Sequence, residues 1–261
     1  MHKSLFFMMI SSFLLAYPVA DLSHPESVRG ETILLSPMRC GTHLTFFSIQ
    51  TLTKRPVRWF HVKYKGTSLM ENGMNLELDM DKPPIYRTHH TDILNKVPSS
   101  ANKLITIIRN PKEMMLRNLI DNHTDFRKIL AMPSLYEKTV YDPFFDVLRC
   151  FDKWDPKNRL LLYYEDLLLK PRGELVRILK FLEADNSELE AHLQNLAEDR
   201  KKMVAFYQNL HKDFGGSASK GEDVFYHSKQ VPKHLLQKAD KVLMQIEPYL
   251  WIKYLSRYRT N

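Results

Sequence analysis

Four short stretches carry the residue types that could do chemistry. The first runs Ser36-Pro37-Met38-Arg39-Cys40-Gly41-Thr42-His43 and follows the apolar run Ile33-Leu34-Leu35. A short strand, a tight turn with one glycine and the start of an amphipathic helix aim backbone N–H groups and a helix N-terminus at one point. Such a point suits an anion. Arg39 adds a charge and Thr42 a hydroxyl. The turn lacks the Lys-Ser/Thr ending through which nucleotide triphosphatases hold Mg²⁺, so the anion is expected to be held without a metal. The second stretch is Arg87-Thr88-His89-His90, the third Arg109-Asn110-Pro111-Lys112-Glu113, the fourth Tyr164-Glu165-Asp166. A histidine near neutral pKa suits proton abstraction, and an arginine grips phosphate in bidentate fashion.

The elements that must position these residues can be read from apolar periodicity. Residues 31–36, 85–88, 103–108 and 159–164 read as short strands. Residues 42–53, a segment from Pro111, and residues 142–154, 171–182 and 232–246 read as helices, their apolar residues at helical spacing. Ser187 with Glu190 three residues later has the spacing of a capping box and would open a further helix. Residues 59–81 hold short strands or loops, 212–223 a loop rich in Gly, Ser and Lys, and 251–258 a basic aromatic tail. Strands alternating with helices imply a parallel sheet. In such sheets ligands bind beyond the carboxyl ends of the strands, where the polar stretches fall. On an extended strand end His90 would point away from His89, which makes His89 the candidate base.

With 261 residues and 44% hydrophobic content the chain can bury one full core. A net charge of +8 and a pI near 9.3 fit an anionic partner or plain solubility. The two cysteines, Cys40 and Cys150, make no disulfide framework, and no Cys/His spacing resembles a zinc site. Residues 1–20 read as a secretory signal peptide, with an uncleaved membrane anchor or a misplaced start as the other readings. Residues 21–30 read as a linker and 31–261 as the folded domain.

Taken in order, these stretches resemble the sulfotransferases that use 3′-phosphoadenosine 5′-phosphosulfate (PAPS). Arg39-Cys40-Gly41-Thr42-His43 is similar to the family's 5′-phosphosulfate loop, Arg87-Thr88-His89 to its Lys-Thr-His motif, and Arg109-Asn110-Pro111-Lys112-Glu113 to its 3′-phosphate motif. Tyr164-Glu165-Asp166 and Ser219-Lys220-Gly221 resemble its Tyr-Glu-Asp turn and late Lys-Gly loop. Each motif alone is weak; five in order over residues 31–246 are specific. The resemblance implies an α/β three-layer sandwich, with a central parallel sheet of P-loop-like type. It implies PAPS as co-substrate, no metal, and a small-molecule or saccharide acceptor rather than nucleic acid. His89 would be the base and Arg39 an electrostatic partner of the leaving phosphate. Cys40, Gly41, Thr42 and His43 would hold the 5′ end, and Arg109, Arg117, Lys220 and Gly221 the 3′-phosphate. Tyr164 would lie near the adenine or in the core.

Some positions depart from the family pattern. Arg117 stands where a phosphate-binding Ser is usual, Leu44 where an adenine-stacking Trp is common, and Ser219 and Phe225-Tyr226 alter the late loop. Two other readings therefore stay open: a P-loop kinase or triphosphatase, and a non-catalytic anion-binding protein on the same fold. Asn122-His123-Thr124 matches a glycosylation sequon, though in a segment read as helical.

Overall fold

A computed structural model describes residues 24–60, 76–121, 125–210 and 228–260. Five strands form its sheet: β1 (Thr32–Leu35), β2 (Val57–Trp59), β3 (Ile85–Thr88), β4 (Lys103–Ile108) and β5 (Arg159–Tyr163). All neighbours are parallel, in the order β2-β3-β1-β4-β5. The principal helices are α1 (Thr42–Thr53), α2 (Pro111–Asp121), α3 (Phe126–Ala131), α4 (Pro133–Tyr136), α5 (Asp142–Lys153), α6 (Tyr164–Leu169), α7 (Pro171–Leu182), α8 (Leu189–Leu210), α9 (Lys233–Ile246) and α10 (Pro248–Leu250).

The strands are mostly apolar because both faces of the sheet are covered, as parallel sheets require, with Arg58 and Arg87 as buried exceptions. Their alternation sorts the side chains between two cores. Ile33, Leu35, Leu104 and Ile108 pack with α5, α9 and the C-terminal residues Trp251, Tyr254, Leu255 and Tyr258. Leu34, Ile105, Ile107 and Leu162 pack with α1, α7 and the start of α8. The result is the three-layer α/β arrangement expected from the sequence.

Register decides where the polar strand ends lie. β1 is central, and Leu35 is level with Thr88 on one side and Thr106 on the other. β3 therefore delivers His89 beside the end of β1. β4 runs on, carrying Arg109 three residues past Thr106, roughly 10 Å along the strand direction. The chain reverses its order of strand addition at β1, which makes the carboxyl end of β1 the crevice of the sheet.

The structure corrects one expectation and adds two features. Ser187 caps no helix: its hydroxyl and N–H both bond the Asp185 carboxylate (2.5 and 2.8 Å), a local turn that competes with capping, and α8 begins at Leu189. A strand precedes the region read as undefined, because Val57 and Arg58 pair with Ile85 and Tyr86. The aromatic tail packs into the core, with Trp251, Tyr254, Leu255 and Tyr258 buried. The signal segment, the sequon and the late loop carrying Lys220 and Gly221 lie outside the described residues. Among the described residues no helix is long and apolar enough to cross a membrane.

One buried group predicts a pH effect on stability. His192 of α8 is 2% exposed, lies 6.2 Å from the Phe47 ring of α1, and among the described residues neither ring nitrogen has a hydrogen-bond partner. Burial lowers its pKa below 6.5, with Lys54 acting in the same sense and Asp199 opposing. The unfolded chain thus binds a proton there more readily than the folded one, and stability falls as pH drops below about 6.5. His192→Leu is expected to raise the melting temperature and flatten its decline between about pH 7 and 5. An unchanged slope in thermal melts would show that His192 carries none of it.

Candidate active site

The turn after β1 is shaped by two residues of left-handed backbone. Arg39 has φ 65° and is exposed, whereas Gly41 has φ 92° and forms the N-cap of α1. Its N-cap is a glycine with no side chain to cap it, and the positive end of the helix dipole at this point suits an anion. Glycine is required twice over at this position. Its φ suits a residue without Cβ, and a Cβ built there would lie 2.6 Å from Tyr164 Cε2 and closer still to Cδ2. The Tyr164 ring, at the start of α6, lies against this glycine and also under the Arg109 guanidinium, 4.6 Å from its Cζ.

His89 is tied to the same turn. Its Nδ1 lies 2.8 Å from the Ser36 carbonyl oxygen. A carbonyl oxygen only accepts, so Nδ1 carries the proton and Nε2 of the neutral ring holds the lone pair. Ser36 Oγ contacts His89 Nδ1 at 3.4 Å and Thr42 Oγ1 at 2.5 Å, linking the histidine to the first residue of α1. Burial holds the His89 pKa below 6.5, assisted by Arg87 and His90 and opposed by the Ser36 bond. Arg87, 1% exposed, lies over the Phe46 ring at 4.8 Å. His90 is exposed and donates its backbone N–H to Thr88 Oγ1 (3.0 Å).

Arg109 is 2% exposed at the end of β4. Its Nη2 lies 3.8 Å from Glu113 Oε1, one helical turn on, and the other Glu113 oxygen accepts the Ser228 N–H (2.8 Å). The Asn110 N–H donates to Glu165 Oε1 (2.9 Å). Lys112 turns away from this group and is bound by Asp240, the Tyr258 carbonyl and Thr260 Oγ1.

The described sequence candidates fall into three sets. Arg39, Gly41, Thr42, His89, Arg109 and Tyr164 share the crevice at the carboxyl ends of β1, β3, β4 and β5. Cys40 is buried in the core and His43 meets Phe46 edge-on at 5.4 Å, both within the turn and first helical residues. Arg117 lies in α2, its side chain outside the described part. Leu44, at the position of the family's usual tryptophan, is buried in the core on the α1 side. Sequence reasoning missed Ser36, whose carbonyl orients His89, and Glu113 and Glu165, which brace the Arg109 turn. The signal for each was its place inside or beside a motif: a hydroxyl residue at a strand end, and acids adjoining the arginine and tyrosine.

A parallel sheet with this strand order, a glycine turn at the central strand and a buried arginine at the next strand end define an α/β protein of P-loop-like type. The chain belongs to the sulfotransferase family: residues 29–244 match the model of the sulfotransferase domain. Sulfotransferase 1 family member D1 of Mus musculus is 28% identical over a 148-residue alignment covering 48% of this chain and 48% of that one. The match spans about half the length of that relative. Among solved structures, mouse sulfotransferase SULT7A1 complexed with PAP superimposes with a TM-score of 0.57 at 18% identity, over 91% of this chain and 92% of that one. Retinol dehydratase in complex with androsterone and the inactive cofactor PAP gives 0.56 at 15% identity, over 85% and 82%. At these identities the structural likeness speaks for the fold.

Proposed function

We propose that the protein transfers a sulfuryl group from PAPS to a hydroxyl or amine of a small-molecule or saccharide acceptor, with His89 as the base. The observation that carries this reading is the chain His89–Ser36–Thr42, which fixes a neutral imidazole beside the anion turn. The residues present fit the co-substrate. The uncapped N-terminus of α1 at Gly41 suits its 5′ phosphosulfate, and the buried Arg109, at the next strand end, suits the 3′-phosphate. When bound, PAPS supplies the sulfuryl group, whose bond to the 5′-phosphate oxygen breaks as the acceptor forms a new one. The chain's own residues do the rest. His89 Nε2 takes the acceptor proton, Ser36 holds the ring in the required tautomer, and Arg39 with the α1 N-terminus offsets charge on the leaving phosphate.

Export through residues 1–20, or anchoring to a membrane by them, is part of this proposal. Such an enzyme works where PAPS is delivered to its compartment.

The test is binding of PAP, the desulfated product, measured by calorimetry with EDTA present. Wild-type protein is expected to bind. Arg109→Lys keeps the charge and loses the bidentate fork, and is expected to weaken binding by roughly 10- to 100-fold, the loss of a charge-assisted hydrogen bond. Absence of PAP binding, or magnesium-dependent ATP turnover in its place, would overturn the reading in favour of a kinase or triphosphatase.

A further inference from the structure

The last residues of the chain reach both of the turns that carry Arg109 and Tyr164. Tyr258 is 8% exposed, and its hydroxyl donates to Glu165 Oε2 (2.6 Å). The other oxygen of the same carboxylate accepts the Asn110 N–H (2.9 Å). Glu165 follows Tyr164 and Asn110 follows Arg109, so this one carboxylate joins the two peptides whose side chains stack at 4.6 Å. Around it the tail is held at three further points. Arg257 makes a bidentate pair with Asp166 (2.6 and 2.8 Å), Tyr163 donates its hydroxyl to the Tyr254 carbonyl (3.1 Å), and Lys112 donates to the Tyr258 carbonyl.

From this geometry we infer that Tyr258 is a positioning residue for the 3′-phosphate site. Its hydroxyl aims the Glu165 carboxylate at the Asn110 N–H, and thereby sets Arg109 against Tyr164. The inference rests on the cofactor reading given above. A rotating Glu165 side chain would bond Asn110 in only some of its rotamers. The phenol holds it in one, so the guanidinium is fixed before phosphate arrives and loses less freedom on binding. Burial, with the neighbouring Glu165 carboxylate acting in the same sense, raises the Tyr258 phenol far above its ordinary value and keeps it a donor at all working pH. Lys112, held by Asp240 and the Tyr258 carbonyl, pins the tail backbone, so the hydroxyl is presented from a fixed point.

The decisive variant is Tyr258→Phe, which removes one oxygen and leaves the ring packing. Tyr254→Phe is the control. It removes another tail hydroxyl, the one bonded to Asp152, and touches neither Glu165 nor Asn110. Two readouts are needed: the Kd for PAP by calorimetry, and hydrogen exchange of the Asn110 amide in the protein without cofactor. Tyr258→Phe is expected to raise the Kd about tenfold and to speed Asn110 exchange, with kcat at saturating PAPS within about twofold of wild type. Tyr254→Phe is expected to leave both readouts within about twofold, even where its melting temperature falls as far. Wild-type affinity in Tyr258→Phe, or an equal loss in Tyr254→Phe, would overturn the inference while the cofactor reading stands. Wild-type protein that fails to bind PAP would overturn the cofactor reading and this inference with it. Asn110 exchange in Tyr258→Phe would still report whether the phenol orders the turn.

Discussion

His89→Ala is expected to lower kcat by about 10²- to 10⁴-fold while leaving the Kd for PAP within about threefold of wild type. The split follows from position. The His89 ring is bonded through Nδ1 to the Ser36 carbonyl, so in the neutral ring Nε2 is the basic nitrogen. Removing it takes away a proton acceptor and leaves the phosphate-holding groups in place. The wild-type pH profile adds a second signature. The base works in its neutral form, so activity is lost as pH falls through the His89 pKa. Burial, aided by Arg87 and His90, lowers that pKa, so the acid limb of kcat/KM should lie below pH 6.5. In His89→Ala that limb should vanish. Transfer at the wild-type rate in the alanine variant, or an acid limb that survives it, would remove His89 from the mechanism. Unaltered PAP binding with no transfer in wild type under any acceptor would favour a non-catalytic anion-binding protein.

Gly41→Ala should produce the other large effect, this time on cofactor binding and stability together. Two costs add. An L-residue at φ 92° carries about 1–2 kcal/mol of left-handed strain, and a methyl forced into a packed ring costs about 1–3 kcal/mol more. The Tyr164 ring has little room to retreat, because Arg109 stacks on it. Any retreat shifts the guanidinium too, so affinity for PAP is expected to fall on the order of 100-fold, about 2.7 kcal/mol. The pair Gly41→Ala with Tyr164→Ala separates the terms. Removing the ring relieves the clash and leaves the backbone strain, so the double variant should be more stable than the sum of the single losses. Strict additivity in denaturant melts would mean that ring and glycine do not press on each other.

Two residues show where local sequence stops being informative. Arg109 reads from sequence as a phosphate ligand, but its place after an apolar strand does not say how deeply it is buried. Its burial over Tyr164 depends on β4 outrunning β1 and on β5 ending level with β4, at Ile108 and Tyr163. That is a matter of register between strands far apart in the chain. Ser187 shows the converse. The capping spacing with Glu190 is present, yet Asp185, two residues earlier, captures the hydroxyl, and spacing alone does not rank competing acceptors.

The amino-acid sequence by itself determined four of the five strands, most of the turns that end them and the residue types placed there. These depend on apolar period, on glycine and proline, and on neighbours a few residues away. Only the tertiary structure decided that Ser36 orients His89, that Gly41 and Arg109 enclose one tyrosine ring, and that Tyr258 reaches Glu165 from 93 residues downstream. Such contacts are set by strand register and by how the C-terminal segment packs across the sheet. Both are properties of the whole chain's burial and not of any window along it.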